Sequence, residues 1–168
     1  DMLLHDMAID GLHVVLAVDR AGLVGEDGET HHGIFDVAYL NSVPGITVYS
    51  PSNFAELDRM LEAAVCRSSG PVAVRYPRGS QGAFTADSGE APAVVLRPGT
   101  DITLAGYGME INDLLAAADQ LEEAGIQAEV VKWNIIIPLE TETLIESVRR
   151  TGHLLVAEEC VELSLIHI

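Results

Sequence analysis

Residues 19–36, DRAGLVGEDGETHHGIFD, form a glycine-rich stretch after an apolar run and hold the side chains of this chain best suited to chemistry. Arg20 carries a guanidinium, whose fork of N–H donors matches the oxygens of a phosphate. His31 carries an imidazole, a group that suits proton transfer or hydrogen bonding to a developing oxyanion. Asp27 precedes Gly28 and is interpreted either as a turn former or as a carboxylate that holds a substrate hydroxyl or orients His31. These residue types predict a site for a small anionic ligand.

Plainer roles stay open for the same side chains. Arg20 can serve as a surface salt-bridge partner, and His31 can be a solvated loop residue, with His32 beside it pointing elsewhere. A metal site on Asp27, His31 and His32 is disfavoured, because adjacent histidines rarely bind one ion and no thiolate cluster supports them. The loop glycines lack the G-x-G-x-x-G spacing of dinucleotide sites, and the sequence has neither a Walker A lysine nor a G-x-S-x-G motif.

A second motif, RYPRG at 75–79, closes an apolar run and holds two of the nine cations in a chain of formal charge −17. Arg78 follows Pro77 beyond the predicted strand end, so it is the better candidate for binding an anion. Arg75 lies within the strand pattern, and buried pairing with one of the abundant acids is the favoured interpretation for it. Ligands of open α/β sheets bind beyond the carboxyl ends of the strands, so this motif is expected close to the loop at 19–36.

Apolar runs that alternate with helical periodicity predict an α/β fold for the whole chain. In the first half, a helix is predicted from Phe54 to Val65 between two strands, and such a strand–helix–strand unit favours a parallel sheet. Asn53 is predicted to cap this helix, and its spacing from Glu56 is that of a capping box. The buried strands of this half are predicted at 13–19, 46–50 and 72–76.

The second half resumes the alternation after a stretch rich in Gly, Ser, Ala and Pro. Gly125 and Gly152 are predicted to end its two helices, and the set is interpreted as a compact α/β domain of its own. Its strands are predicted at 102–106, 128–133 and 153–157, and its helices at 111–121 and 142–150. The predicted division is a first domain at 1–79, a linker at 80–98 and a second domain at 99–162.

The net charge and the short apolar runs exclude several function classes. An acidic surface repels a phosphate backbone, so neither nucleic acid nor an anionic membrane is expected as a partner. No apolar run reaches 18 residues, so no transmembrane helix is predicted. Cys66 and Cys160 are too few and too distant for a disulfide framework, which favours a reducing compartment.

Both ends of the sequence carry expectations of their own. The first residues, DMLLHDMAIDG, lack an initiator Met and read like the interior of a helix, so the chain is expected to start within a longer protein. Residues 163–168, LSLIHI, can be encoded by CTG TCT CTT ATA CAC ATC, a transposon adaptor end used in library sequencing. They are interpreted as read-through and excluded from fold reasoning, with a natural apolar tail as the alternative.

The chain resembles the 1-deoxy-D-xylulose-5-phosphate synthases, thiamine-diphosphate enzymes of the transketolase superfamily. The matching motifs, over residues 1–162, are HDMAI, DRAGLVGEDGETHHGIFD, YSPSN, GPVAVRYPRG and, more weakly, TGHLLVAEE. The resemblance implies the second half of a pyrimidine-binding domain at 1–79 and a truncated transketolase C-terminal domain at 99–162. Two departures affect the second domain. Residues 132–138, KWNIIIP, replace a basic, aromatic stretch, and the family's glycine-rich segment is missing after the paired acids.

The same resemblance implies a reaction in which pyruvate loses carbon dioxide and the remaining two-carbon unit adds to D-glyceraldehyde 3-phosphate. This is the first step of the non-mevalonate route to isoprenoids. Arg20 and Arg78 match the arginines that hold the substrate phosphate. His31 matches the histidine at the reacting oxygens, and Asp27 matches the aspartate that binds a substrate hydroxyl. The implied enzyme is a homodimer, cytoplasmic in bacteria and plastid-located in plants and algae.

Thiamine diphosphate and Mg²⁺ are the implied cofactors, held in the family mainly by an N-terminal part that precedes the region matched here. The glutamate that activates the cofactor also lies upstream of Asp1, so the chain alone is expected to be inactive. Two alternatives stay open. One is another superfamily member, either a transketolase or the β-subunit of a 2-oxo-acid dehydrogenase. The other is a non-catalytic α/β module that binds phosphorylated ligands.

Overall fold

Two four-stranded, mostly parallel sheets with flanking helices form the chain, which confirms the α/β prediction. The computed structural model describes residues 2–25 and 28–161, so the interpretation of 163–168 lies outside the described residues. A π-helical segment spans Leu3–Ala8 and a short 3₁₀ turn spans Glu29–His31. The strands are β1 (Val15–Val18), β2 (Thr47–Tyr49), β3 (Val72–Arg75), β4 (Ala93–Arg97), β5 (Ile102–Tyr107), β6 (Ala128–Trp133), β7 (Ile135–Ile137) and β8 (Leu154–Ala157). The helices are α1 (Asp36–Leu40), α2 (Phe54–Cys66), α3 (Glu110–Glu123) and α4 (Glu142–Thr151).

The first sheet has the order β1-β3-β2-β7, and its β2–α2–β3 unit is parallel as predicted. Asn53 caps α2, because its side-chain oxygen accepts from the amide of Glu56 at 2.9 Å. The Glu56 carboxylate, however, accepts from the amide of Ser52 at 2.8 Å, one residue before the bond that a capping box makes. The apolar side of α2 packs on β3 through Met60 and Ala64.

The two outer parallel strands are more exposed than the sequence predicts. β1 and β8 were expected to be buried, yet β1 is half-exposed, and Leu154 and Leu155 of β8 are exposed. Each strand lies at the edge of its sheet, so it has a neighbour on one side only. Strand pattern alone does not distinguish an edge strand from a central one, since both show the same apolar run.

The second sheet has the order β4-β6-β5-β8, with α3 packed on β5 and β6. Gly152 ends α4 in the left-handed conformation at φ 75°, as predicted, and Gly125 follows the end of α3 at φ 81°. β4 lies in the last third of the predicted linker at 80–98 and pairs antiparallel with β6. Residues 76–92, between β3 and β4, form neither a strand nor a helix.

β7 is the element that the sequence analysis missed. It follows β6 directly, yet it pairs antiparallel with β2 of the first sheet, with Ile137 opposite Val48. One apolar core therefore contains side chains of both halves, among them Val37 and Val48 with Tyr107 and Trp133. The second half also has an apolar core of its own around Ile111 and Val130, and the prediction of a compact second domain stays a prediction. The boundaries at 79 and 99 stay a prediction.

Candidate active site

The loop at 19–36 leaves β1 and closes on itself at two glycines. The amide of Gly22 donates to the carbonyl oxygen of Gly33 at 3.0 Å, and the amide of Gly33 donates back at 2.9 Å. The Gly33 amide also reaches the carbonyl oxygen of Arg20 at 3.0 Å. A Cβ on Gly33 would lie 2.3 Å from that oxygen, so only glycine permits this approach. We call this closure, formed by Arg20, Gly22 and Gly33, the loop base.

Arg20 stands at the loop base in a backbone conformation that few residues adopt. Its φ is 60°, and it is the one non-glycine residue with a positive φ among residues 2–25 and 28–161. The neighbouring amide of Ala21 donates to the carbonyl oxygen of Tyr76 at 3.1 Å, which ties the loop base to the end of β3. The side chain is partly exposed and forms an ion pair with Asp19. Strain of this kind is retained where surrounding bonds determine the backbone, commonly at functional sites.

The two adjacent histidines make different contacts, as expected. His31 is exposed at the end of the 3₁₀ turn, with its Nδ1 at 2.8 Å from the hydroxyl of Thr30. His32 turns inward, where its Nδ1 accepts from the amide of Val24 at 2.9 Å. His32 therefore shapes the loop, whereas His31 is presented to solvent. Asp27, the third candidate of this loop, lies outside the described residues.

The RYPRG motif separates its two arginines as the sequence predicts. Arg78 is exposed in the turn that follows β3. Arg75 is 2% exposed, and its Nε donates to Asp36 Oδ2 at 2.7 Å, which confirms buried pairing with an acid. Burial alone would lower the pKa of Arg75, but the charges of Asp36, Cys160 and Tyr107 and the hydrogen bond to Asp36 together raise it. β1 and β3 are parallel neighbours, so Arg20 and Arg78 both follow strand ends at the same edge of the sheet.

Arg75 also holds the loop in place. Its Nη2 donates to the carbonyl oxygen of Gly33 at 3.0 Å, directly at the loop base. The same nitrogen lies 3.4 Å from the carbonyl oxygen of Glu159, in the segment that follows β8. One buried guanidinium thus joins β3, the loop base and the second half of the chain.

Sequence analysis missed the carboxylates that approach the loop from the second half. Glu159 reaches the loop base so closely that a Cβ on Gly22 would lie 2.2 Å from its Oε2. Burial, and then the nearby charge of Glu110, raise the pKa of Glu159 to about 7. Burial and Asp113 raise the pKa of Glu110 as well. The paired acids after HLLVA were noted as a motif, but nothing in the sequence indicates which loop they meet.

No group of three or more His, Cys, Asp or Glu side chains suited to a metal ion occurs within residues 2–25 and 28–161. No helix in those same ranges is long and apolar enough to cross a membrane.

Known proteins resemble this chain over nearly all of its length. The family described as "Transketolase, pyrimidine binding domain" matches residues 1–82, and "Transketolase, C-terminal domain" matches residues 91–164. The 1-deoxy-D-xylulose-5-phosphate synthase of Gloeobacter violaceus is 46% identical over 165 residues. The synthase of the same name from Chlorobaculum tepidum is 44% identical over 164 residues. Each match covers 95% of this chain and 26% of the relative, so the chain spans about a quarter of their length.

Solved structures show the same arrangement of elements. A structure titled "Split gene transketolase, inactive beta4 tetramer" superposes with a TM-score of 0.84 at 31% identity, over 98% of this chain and 54% of its own. The transketolase of Campylobacter jejuni superposes with a TM-score of 0.73 at 21% identity, over 89% of this chain and 25% of its own. The second likeness concerns the fold alone.

Proposed function

Because the chain belongs to the transketolase superfamily, through the pyrimidine-binding and C-terminal domains that it matches, we propose that it serves as part of a 1-deoxy-D-xylulose-5-phosphate synthase. The substrates of that reaction are pyruvate and D-glyceraldehyde 3-phosphate. Carbon dioxide leaves pyruvate, and the two-carbon unit that remains forms a carbon–carbon bond to the aldehyde carbon of the second substrate. The similarity to the named synthases supports this function over the other activities of the superfamily.

The placement of two arginines is the observation that carries the proposal. Arg20 and Arg78 follow the carboxyl ends of adjacent parallel strands, and the loop base holds the first of them in a strained backbone conformation. Two guanidinium groups at one sheet edge suit a terminal phosphate, which accepts several charge-assisted hydrogen bonds. In a chain of charge −17, such a local pair of cations gives an anionic substrate a favourable place to bind.

His31 and Asp27 complete the proposed substrate site. His31 is exposed beside the loop base, where an imidazole can donate a hydrogen bond to the aldehyde oxygen as that oxygen gains negative charge. Asp27 is proposed to accept a hydrogen bond from a substrate hydroxyl. Arg75 takes no part in binding, since its guanidinium is already committed to Asp36 and Gly33.

Thiamine diphosphate is the proposed cofactor, and when bound it would supply the electron sink that the decarboxylation of pyruvate requires. We further propose that Mg²⁺ and the diphosphate are held mainly by a part of the enzyme that precedes the region matched here, and that this chain contributes the site for the phosphorylated substrate. The further proposals are a homodimer and a location in the bacterial cytoplasm or a plastid.

A chimeric enzyme tests the proposal. The segment of the Gloeobacter violaceus synthase that matches this chain is exchanged for the present sequence, and the product is assayed with pyruvate and D-glyceraldehyde 3-phosphate. We expect carbon dioxide release and 1-deoxy-D-xylulose 5-phosphate formation, with the parent synthase as the positive control. A chimera that folds and binds thiamine diphosphate but fails to condense the two substrates would overturn the proposal.

A transketolase is the second candidate, and the TM-score of 0.84 to the split-gene transketolase favours it. The two activities differ in the donor, because a transketolase takes its two-carbon unit from a ketose phosphate and releases no carbon dioxide. The same chimera is therefore assayed with D-xylulose 5-phosphate in place of pyruvate. Turnover of the ketose with no turnover of pyruvate would favour the transketolase. Phosphate-ester binding with no turnover of either donor would favour the non-catalytic module.

A further inference from the structure

The segment after β8 reaches the loop at 19–36 and contacts both of its sides. On the return side, the amide of Val161 donates to the carbonyl oxygen of Ile34 at 3.0 Å. On the outgoing side, the carboxyl group of Glu159 lies against Gly22, where a Cβ would be 2.2 Å from Oε2. Between them, Arg75 reaches the carbonyl oxygens of Gly33 and Glu159. The loop at 19–36 is therefore contacted by three residues that are not part of it, and two of them, Arg75 and Glu159, contact the loop base.

A cavity of about 370 Å³ lies beside this contact, with Leu23 and Ile34 on the loop side and Glu110 and Glu159 opposite. Its walls are chiefly apolar, which explains why a carboxyl group at this place favours its protonated form. The cavity also gives the loop room to move if the contact at Gly22 is lost. Closure of the loop base is therefore expected to depend on the contact between the Glu159 carboxyl group and Gly22.

We infer that Glu159 is a positioning residue for the loop at 19–36: its carboxyl group, packed on Gly22 in the cavity that Glu110 also lines, holds the loop base closed. The inference rests on the proposed function for its consequence in catalysis, but the contact itself does not. Glu159 acts through the loop and touches no substrate. Its loss is expected to disorder the approach of Arg20 to the phosphate.

Glu159 and Glu110 line the same cavity. Burial, and then the charge of Glu110, raise the pKa of Glu159. With the pKa of Glu159 at about 7, a rise in pH through neutrality ionises it beside a second carboxylate. Repulsion between the two charges then weakens the contact at Gly22.

Other charged groups that face Glu159 modify this response without cancelling it. Asp113 of α3 raises the pKa of Glu159, and the guanidinium of Arg75 on β3 lowers it. Within the same segment, Glu158 lies on the cavity wall, and so does Cys160, whose thiol is 3.9 Å from Asp36 of α1. Burial and Glu110 outweigh Arg75, so the net effect is a proton held at Glu159 below neutral pH.

Hydrogen exchange at the loop base tests the inference without an activity assay. The amides of Gly22 and Gly33 are followed in the chimeric enzyme at pH 6 and pH 8, after correction for intrinsic exchange. When the loop base opens, Glu159 is expected to regain its ordinary pKa of 4.5, so a rise in pH favours the open form. Amide exchange is therefore expected to be about tenfold faster at pH 8 than at pH 6. The Glu159→Gln variant keeps a neutral donor of the same shape, so its exchange is expected to be slow at both pH values.

Two further variants complete the test. Glu159→Ala loses the contact, so exchange is expected to be fast at both pH values, and the KM for glyceraldehyde phosphate is expected to rise. Glu123→Gln removes one exposed acid from the end of α3 and is expected to match the parent. Exchange in Glu159→Ala that equals the parent at pH 6, or a pH response that persists in Glu159→Gln, would overturn the inference. Since neither result depends on turnover, failure of the proposed function leaves this test intact.

Discussion

Arg75 and Asp36 form an ion pair across the core of the first sheet, with Nε 2.7 Å from Oδ2 and side chains 2% and 3% exposed. Asp36 begins α1, and the guanidinium also reaches the loop base at Gly33. The pair therefore fixes where the loop ends and where α1 starts. A salt bridge in this position holds the loop at 19–36 on the sheet.

Removal of one partner tests that role. Asp36→Asn leaves a buried, unneutralised guanidinium, so the chimeric enzyme is expected to lose about 3–5 kcal/mol of stability, measured as a lower midpoint of urea unfolding. Glu90→Gln breaks the exposed pair between Arg67 and Glu90 and is the matched control, with little change expected in the unfolding midpoint. Equal losses in the two variants would contradict a structural role for the buried pair.

The paired arginines of the proposed phosphate site are tested by kinetics. Arg20→Ala and Arg78→Ala each remove charge-assisted hydrogen bonds of about 1.5–3 kcal/mol, so the KM for glyceraldehyde phosphate is expected to rise about 10- to 100-fold. The KM for pyruvate is expected to change little. Arg67→Ala, at the exposed end of α2, is the control and is expected to leave both values unchanged. Equal rises for both substrates would contradict phosphate binding by these two residues.

His31 is tested separately, because its proposed contact forms as charge develops on the aldehyde oxygen. His31→Ala is expected to lower kcat about 100-fold, the range typical of a lost general acid or oxyanion donor, with a smaller change in KM. His32→Ala is the informative comparison, since His32 binds the amide of Val24 and shapes the loop instead. An unchanged kcat in the His31 variant, measured at saturating substrates, would remove His31 from the site.

Local patterns were predictable from the sequence, and contacts between distant segments were not. The cap at Asn53, the glycine that ends α4 and the burial of Arg75 each follow from neighbouring residues and charge balance. β7 was missed because its three isoleucines follow β6 after a single residue, Asn134, and only tertiary pairing with β2 shows them to be a separate strand. Glu159 was missed for a similar reason, since its partner Gly22 lies 137 positions earlier.

Lys132 illustrates the same limit at the junction of the two halves. The sequence analysis noted only that its stretch departs from a family pattern. In the structure Lys132 is fully buried, and its Nζ lies 3.1 Å from Oε2 of the equally buried Glu56 on α2. Ser88 of the connecting segment donates to the same carboxylate, from its hydroxyl at 2.5 Å and its amide at 3.2 Å. The ion pair thus joins α2, β6 and the segment between them.

This buried pair yields the last prediction. Lys132→Met is expected to destabilise the chimeric enzyme by about 3–5 kcal/mol at pH 7, because the Glu56 carboxylate loses its counter-ion. Adding Glu56→Gln is expected to restore much of that lost stability, since no buried charge then remains.

Burial lowers the pKa of Lys132 to about 8, although the nearby Glu56 carboxylate acts to raise it. The unfolded chain with its higher pKa binds more protons between pH 8 and 10.5, so this residue's contribution to stability rises with pH across that window. The unfolding midpoint of the parent, compared with that of Lys132→Met from pH 8 to 10.5, measures this rise, and parallel curves would contradict a buried lysine at this position.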